Sequence, residues 1–502
     1  MHNNGRALEL SDEQLLAITS SLRCVFIESA PGSGKTLVAA QRFGFLRYST
    51  PASGTGPVKA TSFTRSATHE LRNRIYQLWG HHASTFPNSV STLDNMVGEI
   101  LEIFLLKGII HWPNSWTSLS VQDSWKSVTG VHRTNRIPEI SLRGRDVVLK
   151  VNDVTDIGYH PPARLVFENM NSGICTHEDV RRIVQLAIAN VNEAKVELES
   201  YLTQFIGNLI VDEVFDANDL DVSIIETAIN SGVAVTLIGD PWQALYTFRG
   251  ARPELMHDIL QKYDFHTLPL SQSFRWRRGS KQQILADALR AGHAVTIEEI
   301  CEKEILRNGV DVVLASTWKR LWDSSDSILP LSFPGSENPA VAAMTLLLDF
   351  VSKQAFQRQA TNINEALLTL GLPKETYGEA LKPLMSEVAQ KLKTVPQNQI
   401  RDLYDGYLAK LRLTVDVEFP NRRKLKEFQQ LRARLVSSRL VQGVTIHQAK
   451  GLEWNRVALI LDDSEISLLS SGLNQHDESH RRMYVACTRA REETTRLRLS
   501  AR

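Results

Sequence analysis

The sequence predicts an α/β protein, with parallel sheets flanked by helices and interrupted by helical insertions. Three observations carry that prediction. The apolar run Cys24-Val25-Phe26-Ile27 breaks into a small-residue loop, Glu28-Ser29-Ala30-Pro31-Gly32-Ser33-Gly34-Lys35-Thr36, and then into the helical pattern Leu37–Phe43. Further apolar runs at 58–63, 205–213 and 234–240 each stop at a polar turn. The second half repeats the strand pattern at 309–315 and 456–461.

With 502 residues, the chain exceeds one hydrophobic core, so about two to four domains are expected. A hydrophobic content of 42% with 23% charged residues excludes a disordered or fibrous class. Lys and Arg number 57 against 56 for Asp and Glu, so any nucleic-acid surface has to be a local cleft. Cys24, Cys175, Cys301 and Cys487 lie far apart without C-x-x-C spacing, which argues for free thiols in a reducing compartment. The first residues show no secretory pattern, and no run approaches the ~20 apolar residues of a membrane helix. A cytoplasmic protein without a membrane partner or an appended nuclease domain is expected.

Taken in order, Ser11 before Asp12–Ile18 is a helix N-cap with Gln14 at the capping-box position; the same amide suits an adenine edge. In the loop 28–36, backbone N–H groups converge at the start of a helix and suit phosphates. Lys35 is placed for the β/γ-phosphates and Thr36 for Mg²⁺, although Ser29 stands where G-x-x-x-x-G-K-[ST] has its first Gly. Val58–Phe63 reads as a second strand, followed by a helix with Ala67, Leu71 and Ile75 inward; Phe63 is either core or a base-stacking platform. A helix is expected from Val90 through Leu105, and Trp112, Trp116 and Trp125 read as core or interface residues rather than base-stackers. The run Phe205–Val211 ending in Asp212-Glu213 has the shape of a Walker B strand, with Asp212 on Mg²⁺ and Glu213 on the attacking water. Ala234–Gly239 repeats the strand-then-turn pattern and delivers Gln243, so four strands collect Lys35, Asp212, Glu213 and Gln243 at one edge. Ser324–Pro339 reads as a linker, 340–415 as helical with Leu346, Leu347, Leu348 and Phe350 inward, and the basic run 421–434 as a solvated face. Met483, Cys487 and Ala490 share one helical face.

Together these segments resemble the motif series of the UvrD/Rep-type superfamily 1 helicases, in that family's order across nearly the whole chain. The resemblance implies two RecA-like P-loop domains with ATP between them. The first covers 1–85 and 196–262 with an insertion at 86–195; the second covers 263–339 and 436–502 with a small insertion at 340–435. It implies Gln14 on the base, Gly32, Ser33, Gly34, Lys35 and Thr36 around the phosphates, and Phe274 and Glu453 on adenine and ribose. It further implies Gln243, Arg275 and Arg489 near the γ-phosphate, both arginines arriving from the second domain, and Phe63, Thr64, Thr92, Phe248, Arg249 and His447 on single-stranded DNA.

The family's D-E-x-Q-D reads here Asp212-Glu213-Val214-Phe215-Asp216, so Phe215 replaces a Gln that joins nucleotide state to DNA contacts. The lean build resembles the short UvrD-like helicases encoded beside nucleases in bacterial anti-phage systems, Gabija among them. Two functions are therefore expected: a 3′→5′ DNA translocase and helicase using ATP and Mg²⁺ on single-stranded or tailed duplex DNA, in repair or antiviral defence, or a DNA-sensing ATPase that controls a partner nuclease. A P-loop small-molecule kinase would leave the second-half motifs unexplained.

Overall fold

The computed structural model describes residues 9–49, 56–334, 338–373, 377–415, 419, 424–437 and 439–499. Two compact units emerge: Met1–Val121 with Glu139–Lys150 and Asn169–Arg277, and Gln122–Pro138 with Val151–Glu168 and Arg278–Arg502.

Strands of the first half are β1 (Cys24–Ser29), β2 (Val58–Ser62), β3 (Ser89–Thr92), β4 (Ser120–Gln122), β5 (His132–Arg143), β6 (Asp146–His160), β7 (Ile174–Thr176), β8 (Asn208–Asp212), β9 (Ala234–Gly239) and β10 (His266–Leu270). Six of them form a parallel sheet in the order β10-β1-β9-β8-β2-β3. Val25 and Ile27 of β1, Ile210 of β8 and Leu268 of β10 pack with Val38, Phe43, Leu71 and Ile75 from the helices Lys35–Tyr48 and Arg65–Trp79. Because all six strands run the same way, the residues that follow Ser29, Ser62, Thr92, Asp212, Gly239 and Leu270 emerge at one edge, where ligands bind in open α/β sheets.

The second unit holds β11 (Glu299–Cys301), β12 (Val312–Ala315), β13 (Ile328–Pro330), β14 (Val441–Thr445), β15 (Trp454–Ile460) and β16 (Ala490–Arg498), a parallel sheet ordered β11-β16-β15-β12-β14-β13. The helices Pro339–Phe356, Ile363–Thr369, Lys382–Thr394, Ile400–Arg412 and Leu425–Val436 share a second core. Pro339–Phe356 is apolar on nearly every side, including Leu346, Leu347, Leu348 and Phe350, and is buried accordingly.

Several expectations are corrected. The boundary at 262/263 moves, because β10 pairs in register with β1 and carries residues up to Arg277 into the first unit. Position 90 lies in a strand rather than at a helix start: β3 joins the first sheet, and the helix Leu93–Leu106 follows. The stretch 86–195 is not purely helical, since β5 and β6 form a long ribbon. Ser324–Pro339 is no linker over its described part, because β13 is buried and pairs with β14. Ala490 begins β16 and so leaves the helical face of Met483 and Cys487. Trp112 and Trp125 are core, whereas Trp116 is 44% exposed.

Within the basic run, Asn421–Arg423 lie outside the described residues, and Arg434 is fully buried rather than solvated. Its guanidinium donates to the carbonyls of Ile328 (2.6 Å), Gln430 (3.0 Å) and Trp322 (2.9 Å) and stacks over the Trp322 ring at 4.6 Å. Apolar Phe428 and Leu431 pull that helix inward, and carbonyl acceptors satisfy the charge that comes with it.

Candidate nucleotide site

The phosphate-loop geometry is local in origin. Gly32 and Gly34 take φ of +75° and +82°, a region L-side chains rarely adopt, and this turns the chain from β1 into the helix that begins at Lys35. The hydroxyls of Ser29 and Ser33 are buried and have no hydrogen-bond partner among the described residues. Lys35 Nζ ion-pairs with Glu213 Oε1 at the end of β8. Glu213 sits at φ 59°, an unfavourable backbone for a non-glycine residue that is typical of functional sites, and its N–H donates to Asp212 Oδ1 at 2.9 Å.

Burial pushes the Asp212 carboxyl up to about 6, with Lys35 opposing and neighbouring Glu213 reinforcing the rise. Burial alone would pull the Lys35 ammonium down, but Glu213, Asp212 and Asp240 reverse that and hold it above its ordinary value. The site thus joins a cation, two carboxylates and unsatisfied hydroxyls at a helix N-terminus. That donor set suits a phosphate chain with Mg²⁺, an ion usually held by one or two protein groups plus phosphate oxygens and water. Thr36 follows Lys35 in the first turn of that helix, and Asp212 ends β8.

Three further segments close around this loop. Gln14 completes the capping box with Ser11, and its Nε2 also donates to Ser33 O at 3.0 Å, so capping and loop support coexist in one side chain. Beyond β10, Phe274 N–H donates to Gly32 O (2.8 Å) and Ser273 Oγ to Pro31 O (2.8 Å). A Cβ placed on Gly32 would stand 2.5 Å from Arg275 Cβ. Arg275 therefore belongs to the first unit, against the expectation that both arginines come from the second. Phe274 beside it is 53% exposed. Gln243 is buried and donates from Nε2 to Asp240 Oδ2 at 2.7 Å.

Of the residues matched to DNA contacts in this unit, Phe63 and Thr64 follow β2, Thr92 ends β3, and Phe248 lies on the short turn Thr247–Arg249. Thr64 caps the helix Arg65–Trp79 and Thr92 caps Leu93–Leu106, each accepting an N–H at 3.1 Å. Phe63 is half-buried, Phe248 is 63% exposed, and the side chain of Arg249 lies outside the described residues. Phe215 is 3% exposed and packs on Phe26 and His257, a core role. In the second unit, His447 lies on the short helix Ile446–Ala449, and Glu453 pairs with Arg491. Arg489 is buried, donating to Val485 O (3.0 Å) and Thr488 Oγ1 (3.2 Å).

Two contributors were not legible beforehand. Glu13 accepts from Ser271 N at 2.7 Å, fastening the loop after β10, yet as a first-turn acid it carries no distinguishing signal. Asp240 orients Gln243; its only trace is the Asp-Pro turn.

Residues 13–249 match the model of an AAA domain and residues 355–500 that of the UvrD-like helicase C-terminal domain. DNA helicase II of Salmonella typhimurium (strain LT2) is 23% identical over 389 residues, covering 74% of this chain and 51% of that protein. DNA helicase II of Escherichia coli (strain K12) is 24% identical over 53% of this chain and 38% of its own length. ATP-dependent DNA helicase UvrD1 of Mycobacterium bovis is 24% identical over 56% of this chain and 38% of its own. The chain thus spans from 38% to 51% of the length of these relatives. Among the described residues, no helix is long and apolar enough to cross a membrane.

Proposed function

The chain belongs to the UvrD/Rep-type superfamily 1 helicases, and on that premise we propose that it is an ATP-dependent DNA helicase or translocase moving 3′→5′ along single-stranded DNA. The observation that carries this reading is the convergence of Lys35, Asp212 and Glu213, with the loop bearing Arg275 seated on Gly32. In this proposal the loop N–H groups and Lys35 bind the phosphates, Gln14, Phe274 and Glu453 hold the nucleoside, and Thr36 and Asp212 hold Mg²⁺. Bound there, Mg²⁺ neutralises charge on the phosphate oxygens. Glu213 leaves Lys35 when phosphate arrives and orients the attacking water, taking its proton. Gln243 senses the γ-phosphate, while Arg275 and Arg489 stabilise the charge that develops on it. Phe63, Thr64, Thr92, Phe248, Arg249 and His447 contact DNA, where each stacked base is worth roughly 1–3 kcal/mol.

Turnover measured with and without single-stranded DNA tests this, beside Lys35→Ala and Glu213→Gln. Stimulation by DNA that both substitutions abolish supports it; turnover indifferent to DNA refutes it. Displacement from 3′- against 5′-tailed duplexes tests direction.

Phe215 favours a second reading. An aromatic ring in the core cannot make the hydrogen bonds of the amide that family members carry there, so ATP turnover can respond to DNA without processive unwinding. Such a chain would act as a DNA-sensing subunit that controls a partner nuclease in anti-phage defence. DNA-stimulated turnover without strand displacement supports it, and robust unwinding by the isolated chain removes it.

A further inference from the structure

Arg181, on the helix His177–Asn190, carries a two-armed bridge that the proposed mechanism leaves unused. One arm, Nη1, donates to Asp94 Oδ1 at 2.6 Å; the other, Nη2, donates to Asp221 Oδ1 at 2.6 Å and Asn218 Oδ1 at 2.8 Å. Asp94 lies in the first turn of Leu93–Leu106, the helix capped by Thr92 at the end of β3. Asn218 caps Asp219–Asn230, the helix that follows β8, and forms a capping box with buried Asp221. The fork therefore ties together the first turns of two helices, one beginning at an expected DNA contact and one beginning just past the catalytic carboxylates.

The segment from Glu213 to Asn218 has little slack to absorb a movement. Asp216 N–H donates to Glu213 O at 2.9 Å, Ala217 N–H to Val214 O at 3.1 Å, and Arg252 N–H to Ala217 O at 2.7 Å. Arg252 follows the turn that carries Phe248, so a second expected DNA contact reaches the same short 3₁₀ turn. Phe215 within that turn faces the core and offers no polar arm. A rigid turn tethered at its far end transmits displacement to its near end, where Glu213 stands.

We propose that Arg181 is a positioning residue that transmits DNA occupancy at the end of β3 to the carboxylates at the end of β8, and so sets how strongly DNA stimulates ATP turnover. The inference rests on the proposed DNA-dependent ATPase activity. It assigns no contact with nucleotide or DNA to Arg181; its task is to hold Asp94 and Asn218 in one fixed relation. A planar fork does this, whereas a lysine reaches one partner at a time.

Removing Arg181 altogether would leave Asp221 buried without its cation, so the informative variants are Asp94→Ala and Arg181→Lys. Asp94 is the more exposed end of the bridge, and its loss keeps the Arg181–Asp221 pair. Turnover is measured without DNA and at saturating oligo(dT), with oligo(dT) affinity read separately by fluorescence anisotropy. The expected result is basal turnover and oligo(dT) affinity within twofold of wild type, with stimulation reduced at least fivefold in each variant. The double variant should be no worse than either single one, because both cut the same link. Stimulation kept at the wild-type ratio, or lost only through weaker oligo(dT) binding, overturns the inference. A wild-type chain whose turnover ignores DNA would remove the proposed function and this inference with it; a responsive wild type with fully responsive variants removes this inference alone.

Discussion

Gly32→Ala isolates the contact between the phosphate loop and the loop that carries Arg275. The substitution imposes two separable costs. The first is backbone strain: alanine at φ +75° costs roughly 1–2 kcal/mol. The second is steric, since the new Cβ would lie 2.5 Å from Arg275 Cβ, 2.8 Å from Ser273 Oγ and 3.1 Å from Arg275 N. Two of these atoms lie on or next to the backbone, so the loop has to move as a body. Moving it breaks the bonds from Phe274 N–H to Gly32 O and from Ser273 Oγ to Pro31 O, each worth about 0.5–1.5 kcal/mol. Gly232 supplies the control, because its φ is +86° and a Cβ added there would meet nothing within 4 Å. Gly232→Ala therefore reports strain alone, and Gly32→Ala should exceed it by about 1–3 kcal/mol. Urea midpoints of the two variants against wild type measure the difference, and ATP turnover should fall at least tenfold in Gly32→Ala only. Equal loss of stability in both variants, or Gly32→Ala with undiminished turnover, would refute the packing argument.

Other consequences are independent of that loop. Arg434→Ala strands the carbonyls of Ile328 and Trp322 and opens a hole against the Trp322 ring, so stability should drop by roughly 3–5 kcal/mol in thermal melts, and Arg434→Lys should not restore it. Asp212, raised to about 6 by burial, gives a signed pH effect. The folded chain keeps a proton that the unfolded chain releases near pH 4, so this contribution is fully present at lower pH and is lost as pH rises through about 6. Asp212→Asn should abolish Mg²⁺-dependent turnover while flattening that slope, gaining on the order of 1–3 kcal/mol near neutral pH over wild type. In the active chain, turnover should fall below about pH 6, and higher Mg²⁺ should shift that limb to lower pH. Phe215→Gln buries an amide between Phe26 and His257 and should destabilise by roughly 2–4 kcal/mol, as read by urea titration.

What the chain declared on its own was everything written within a dozen consecutive residues. The turn at Gly32 and Gly34, the carboxylates ending an apolar run at Asp212 and Glu213, and the capping box at Ser11 and Gln14 all depend on neighbours along the backbone, and local chemistry selects them. Choices of partner across the fold were silent. Nothing near His266–Leu270 indicates that it completes the first sheet beside β1, because an apolar strand pairs with whichever edge its connections can reach. The same holds for Arg434, whose charge reads as a solvated face until Phe428 and Leu431 draw it against Trp322. It holds as well for Glu13 on Ser271 and Arg181 between two helix starts, common residues whose roles arise only from what folding sets opposite them. Local sequence thus determined which groups have chemistry to offer, and long-range packing decided which of them meet, since burial is a property of the assembled core and not of any one segment.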